Sequence, residues 1–281
     1  MDLESKKKII DRNDKNISLN TQCDILGLSK GGLYYSSVPK YSHEDIKILN
    51  RMDEIFTKYP FYGYRRIHNQ LLNEDFSIGK DRVLKFMKAL GLETFYPKKK
   101  KGLSDPNKEH KTYPYLLKNL KINKPNHVWA VDITYIRMKG GFVYLVAIID
   151  WFSRYLLSYK LSNSLEISFC QEALYEALDK YEKPDIFNSD QGSQFTSSKF
   201  TNILHNNNIR ISMNSKGRAL DNVIIERFFR SLKYENIYLN EYLSIKEVQQ
   251  GLIEYIHFYN NERFHQSLKY FPPIYMYKNF K

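Results

Sequence analysis

The longest apolar run in the chain, Phe142–Ile149, is eight residues long. That is the length of a strand buried on both faces, and it falls far short of the ~20 residues a bilayer span needs. Its neighbours restrict it further. Val128-Trp129-Ala130-Val131-Asp132-Ile133-Thr134-Tyr135-Ile136 reads as a strand, Met138-Lys139-Gly140-Gly141 as a turn, and Tyr155–Leu161 as a third strand, so three strands run as a meander. Helical spacing follows over 166–181, with Cys170, Ala173, Leu174, Ala177 and Leu178 on the inner side. A short strand over 184–189, a helix over 197–207, a strand over 209–213, a helix over 221–233 and a long helix over 245–264 complete the pattern.

Three adjacent strands, then helix, strand, helix, strand, helix is the element order of a ribonuclease-H-like α/β fold, a mixed five-stranded sheet with flanking helices. In that order the first strand is central and the fourth lies beside it. Asp132 in the first and Asp190 after the fourth become neighbours, and Glu226 on the following helix completes a cluster. That helix buries Ile225, Phe228, Phe229 and Leu232, and Asp221 or Asn222 is placed to cap it. Glu226, Arg230 and Lys233 share another face, which taken alone also describes a solvated salt-bridge ladder. Three converging carboxylates repel one another and raise each other's pKa unless hard cations such as magnesium or manganese intervene. Two such ions suit in-line phosphoryl transfer.

The front half is helical and basic. Residues 19–35 outline two short helices broken at Gly27, with Ser29 capping the second; a helix-turn-helix and a plain helical hairpin both fit. Residues 43–93 read as three helices, the second opened by Tyr62-Gly63-Tyr64-Arg65-Arg66-Ile67. The third buries Val83, Phe86, Met87 and Leu90 and turns Lys85 and Lys88 away, suiting phosphate contact or an ordinary amphipathic bundle. Between 97 and 126 nine Lys or Arg, including Lys98, Lys99, Lys100 and Lys101, stand against Asp105 and Glu109. This is a DNA-tracking connector or a solubilising tether. The net charge of +12 agrees with a polyanionic partner. Cys23 and Cys170 lie far apart, predicting buried thiols rather than a disulfide, and no Cys-x-x-Cys accompanies the seven histidines to make a zinc site. The charged N-terminus lacks the apolar core of a secretory signal, so a soluble intracellular protein is expected.

Four ordered blocks carry a resemblance. Trp129-Ala130-Val131-Asp132-Ile133-Thr134-Tyr135, Ser189-Asp190-Gln191-Gly192-Ser193-Gln194-Phe195-Thr196, Asp221–Phe229 and Tyr259-Asn260-Asn261-Glu262-Arg263-Phe264-His265-Gln266-Ser267-Leu268 resemble signatures of bacterial insertion-sequence transposases of the retroviral-integrase-like, acidic-triad superfamily. The likeness covers about residues 18–275 and is of the downstream-reading-frame type. It implies Asp132, Asp190 and Glu226 as metal-binding catalytic carboxylates with two Mg2+ or Mn2+ ions. Gly192, Gln194 and Asn222 would line the site. Arg230 and Lys233 match positions contacting DNA near the cut end. Arg65, Arg66, Lys85, Lys88 and the four linker lysines would add DNA contacts. Arg263 matches a motif whose role stays open between DNA contact and a helix-end structural part.

The resemblance further implies strand cleavage and transfer on element ends, with a DNA-binding regulator of transposition as the alternative. It implies DNA as partner, a homo-oligomer on DNA, an upstream-reading-frame protein, no membrane, and a bacterial cytoplasmic, nucleoid-associated location. Arg227, where a small or neutral residue is commoner, and Lys269, in place of a glycine, depart from the pattern. The expected division is 1–38 and 39–96 for helical units, 97–125 for the basic linker, 126–240 for the catalytic core and 241–281 for a C-terminal helix and tail.

Overall fold

The computed structural model describes residues 3–14, 16–34, 41–94, 112–214 and 222–280. Lys98–Lys101 and Asp221, named above, lie outside the described residues. The chain forms two compact units, residues 1–54 and 55–281. In the first, α1 (Leu3–Ile9), α2 (Leu19–Ile25) and α3 (Lys30–Tyr34) precede α4 (His43–Lys58), which crosses into the second. Gly27 takes a left-handed φ of +59°, stopping α2, and Ser29 Oγ accepts the Gly32 N–H at the start of α3. Cys23, Leu28 and Leu33 form the small core of this pair.

The second unit begins with α5 (Tyr64–Asn73) and α6 (Lys80–Ala89). The main sheet follows: β1 (Val128–Met138), β2 (Gly141–Asp150), β3 (Leu156–Ser162), α7 (Ser168–Lys180), β4 (Ile186–Ser189), α8 (Ser193–Thr196), α9 (Ser198–Asn206) and β5 (Arg210–Met213). The last elements are α10 (Val223–Leu232), a π-helical turn over Lys233–Ile237, α11 (Ile245–Asn261) and α12 (Pro273–Asn279). Strand order is β3-β2-β1-β4-β5. The first three strands pair antiparallel, whereas β4 runs parallel to both β1 and β5. This is the mixed five-stranded, ribonuclease-H-like architecture with helices on both faces.

Side-chain alternation along β1 divides the core. Trp129 and Val131 face α7 and α9, packing with Phe169, Leu174 and Phe200. Ala130 and Ile136 face α10 and α11, packing with Ile225, Phe228, Leu232 and Leu252. The long helix stops three residues earlier than its apolar spacing suggests, at Asn261. There Asn260 turns inward: its side chain accepts from Leu156 N at 2.9 Å and donates to Leu156 O at 3.0 Å, standing in for a strand partner on β3. α12, α8 and the π-helical turn are too short to show a periodicity in the sequence. Among the described residues no helix is long and apolar enough to cross a membrane.

Candidate active site

Asp132 shares the α10-facing side of β1 with Ala130. The β1–β4 ladder ends with Ala130 beside Asn188, so extending the register by two residues sets Asp132 level with Asp190. Ala147 lies opposite Asp132 on β2, a small neighbour that leaves the carboxylate room. Asp132 Oδ1 accepts the Ile133 N–H at 2.8 Å. Beyond β4, Asp190 Oδ1 accepts the Gly192 N–H at 2.9 Å, and a Cβ on Gly192 would stand 2.9 Å from that oxygen. Any larger residue at 192 would require Asp190 Oδ1 to move. A buried network supports this loop: Ser212 Oγ donates to Asn188 Oδ1, Asn188 Nδ2 donates to Asn214 Oδ1, and Gln191 Nε2 donates to Asn214 O. Gln194 is half-buried beside it, its amide donating to Leu165 O.

Glu226 rides α10, whose opposite face is anchored in the core. Asn222 occupies the N-cap position but makes no capping bond. Its Nδ2 instead donates to Val131 O at 3.2 Å, pinning the start of α10 to β1 next to Asp132. Of the two expected caps, Asn222 instead forms a cross-link between the two elements that carry Asp132 and Glu226. Its Oδ1 is buried without a partner among the described residues.

The electrostatics follow from this crowding. Burial, then Asp190 and Glu226, push the Asp132 carboxyl up to about 8, opposed by the Ile133 N–H and Lys233. Burial also raises Asp190, against the Gly192 N–H, and raises Glu226. Lys233 is lowered by burial and partly restored by Asp132; its Nζ stands 4.8 Å from the centre of the Tyr135 ring. Among the described residues Glu226 forms no ion pair, and Arg230 stacks over Tyr234 instead. The salt-bridge ladder is thus not formed. Among the described residues no three His, Cys, Asp or Glu side chains are close enough to share one metal ion, so the carboxylates line an edge rather than close a cage. The donor set still fits a hard divalent cation: all-oxygen and anionic, with its central member driven towards protonation.

The other expected residues fall in different places. Arg65, Lys85 and Lys88 are exposed on α5 and α6. Of the two parts left open for Arg263, DNA contact or a structural role at the helix end, its surroundings favour the structural one. Arg263 is 5% exposed, and its guanidinium grips Glu235 through Nε at 2.6 Å and Nη2 at 2.5 Å. Burial works against its charge, but Glu235 more than compensates and raises its pKa. Arg66 adds a 3.1 Å bond to the same carboxylate, and Tyr255 OH donates to it at 3.0 Å. A buried carboxylate on the π-helical turn thereby ties α5, α11 and the segment after α11 together. Its spacing, nine residues beyond Glu226, shows no pattern by which sequence alone would find it.

Two stretches, 122–219 and 207–273, match the family described as Integrase core domain, and residues 42–100 match an HTH-like domain. The chain is 35% identical over 217 residues to the putative transposase InsK for insertion sequence element IS150 of Escherichia coli, covering 76% of each protein. It is 27% identical over 277 residues to transposase InsF for insertion sequence IS3A of the same organism, covering 92% of this chain and 94% of that one. A chain in the simian T-cell lymphotropic virus intasome structure, in complex with PP2A regulatory subunit B56 gamma, superposes with a TM-score of 0.50 at 16% identity. The match covers 82% of this chain and 74% of that one, a likeness of fold.

Proposed function

Because this chain belongs to the insertion-sequence transposases with an integrase catalytic core, we propose that it cuts and joins DNA strands by divalent-metal-dependent in-line phosphoryl transfer, with Asp132, Asp190 and Glu226 as the catalytic carboxylates. Membership makes it a DNA transposase of the acidic-triad type; the chemistry and the residues are our reading. One observation carries it. Asp132 on the central strand and Asp190 just past its neighbour β4 fall level in register, and Asp190 and Glu226 both add to the burial that pushes the Asp132 carboxyl up to about 8. Structural carboxylates are normally neutralised by arginines, as Glu235 is; this group is not.

Bound magnesium or manganese, two ions in our reading, would supply Lewis-acid stabilisation of the attacking and leaving oxygens. The chain's own residues do the rest. Asp132 and Asp190 present carboxylates from adjacent strands of a rigid sheet, and Glu226 adds a third from a helix that can shift by a side-chain rotation. Gly192 keeps its loop close behind Asp190. Asn222 holds α10 against β1 and fixes the distance between Glu226 and Asp132. Lys233, desolvated beside Asp132, is placed to bind a phosphate oxygen near the reacting bond; Arg230, exposed one turn earlier, extends that contact. Exposed Arg65, Lys85 and Lys88 on the HTH-like domain, and Lys98–Lys101 in the linker, would hold DNA away from the site through its phosphates. An oligomer on DNA and an upstream-reading-frame partner belong to the same reading.

Glu226→Gln tests it. The substitution keeps size and helix propensity and removes one charge from an exposed position, so folding by circular dichroism should be unchanged and DNA affinity equal or slightly higher. Cleavage and joining of labelled element ends in manganese should drop by orders of magnitude. Near-normal cleavage would remove Glu226 from the catalytic set.

A further inference from the structure

One cluster of cations borders the site described above and, apart from Arg230, takes no part in it. A cleft of about 590 Å³ opens along α10 and is lined by Arg154, Arg227, Arg230, Tyr259 and His265, with no carboxylate among its lining residues. Arg263 also reaches it, but its charge is matched by Glu235. His265 is held far below its usual pKa by burial and by Arg263, Arg66 and Arg154, so it is neutral and answers no cation. Arg227 and Arg230 are exposed, and neither forms an ion pair among the described residues.

Arg154 is held there at a conformational cost. It adopts φ 65°, a left-handed backbone uncommon for a bulky residue. The turn that imposes this is over-determined: Asp150, fully buried, accepts from Ser153 N, Ser153 Oγ and Asn126 N. Arg154 donates through Nη1 to Trp151 O at 2.6 Å. Burial lowers its pKa; the Tyr259 phenol and the Asp150 carboxylate oppose that, and Arg227 adds to it. Arg154 and Arg227 thus share a cleft with no carboxylate in its lining.

The cleft's place on α10 relates it to the carboxylates. At about 100° per residue, Lys233 falls within about 20° of Glu226, Arg230 about 40° round, and Arg227 about 100° round, on the cleft side. Cations thus run continuously from the catalytic face into the cleft, with Arg230 shared by both.

Resting on the proposed strand-transfer function, we propose that this cleft is a second DNA-backbone site, in which Arg154 and Arg227 bind the phosphodiester of a strand that continues past the carboxylate edge. A run of regularly spaced monoanions fits a lane of guanidiniums without a carboxylate in the lining.

The test measures salt dependence with the full chain and two fluorescein-labelled probes of arbitrary sequence, a 30-base-pair duplex and one of its single strands. Each phosphate contact adds about 0.9 to the slope of log K against log salt on duplex and about 0.7 on single strands. Arg227→Ala should reduce the slope by about that amount on one probe or both, and the probe affected identifies the form of DNA in the cleft. Arg227→Lys should restore it. Lys199→Ala, on α9 at the opposite face of the sheet, removes the same charge and should leave it unchanged. Equal slopes for wild type and Arg227→Ala on both probes, or an equal loss in Lys199→Ala, overturn the proposal. If Glu226→Gln has meanwhile abolished cleavage, only the cleft assignment falls. A wild-type chain that binds neither probe overturns both.

Discussion

Replacing Asp132 by Asn tests the electrostatics of the site without reference to any reaction. On folding, the Asp132 carboxyl moves from 3.8 to about 8, chiefly through burial and then through Asp190 and Glu226. A rise of roughly 4 units at about 1.36 kcal/mol each sets a ceiling of roughly 5–6 kcal/mol. An acid whose pKa rises on folding holds its proton more tightly in the folded state. Its contribution is complete below its unfolded value of 3.8 and is lost as the pH rises through about 8. The metal-free chain should therefore lose stability steadily across that interval. Relaxation of the edge and entry of water leave only part of the ceiling. At a third of it, roughly 2 kcal/mol, the melting midpoint of a domain this size moves by about 4–8 °C. Asparagine has nearly the same shape and no charge to strand. In calorimetric melts with EDTA, Asp132→Asn should match wild type near pH 4 and exceed it by that margin near pH 8. Manganese at pH 8 should then raise the wild-type midpoint and leave the variant's in place, because bound cation stabilises only the form that binds it. A variant no more stable than wild type at pH 8, with the same fall in stability as pH rises, would refute the reasoning. Asp132 would then be an ordinary strand carboxylate.

Three further substitutions probe the frame of the site. Gly192→Ala should push Asp190 Oδ1 off its bond to the loop, lowering cleavage at least about tenfold, or about 1.4 kcal/mol of barrier. Its melting midpoint should stay within a few degrees of wild type; unchanged turnover would show that the close approach of the loop has no catalytic bearing. Glu235→Gln should leave Arg263 and Arg66 without their counter-charge and cost about 3–5 kcal/mol in urea unfolding; a loss under about 1 kcal/mol would deny the buried pair its structural part. Asn260→Ala removes two bonds to the Leu156 backbone and should destabilise by about 1–3 kcal/mol, read as a lowered thermal midpoint, and no change would mean that water replaces both bonds.

Much of this architecture was legible in the residues alone. Strand and helix periodicities are local properties of the chain, and the strand order follows from their succession. Asp132 lies in a strand whose neighbours are apolar, and Asp190 directly follows another, so their meeting could be argued from topology before any coordinate. Gly192 came only with the resemblance; its close approach to Asp190 Oδ1 is a feature of the folded loop.

What the tertiary structure alone decided was the partnership of polar side chains. Asn222 looked like a helix cap, because capping is a local option, yet it bonds to Val131, 91 residues away in sequence. Arg263 left DNA contact and a structural role equally open, yet Glu235 claims it from 28 residues back, and Arg66 joins the same carboxylate from 169 residues away. Arg154 and Arg227 carry no shared pattern in the sequence, but the turn after β2 and the flank of α10 bring them to one cleft. The apolar pattern tells a side chain to be inside or outside, since burial depends on its own chemistry. Which charge meets which depends on where distant segments return, and that is a property of the packed fold.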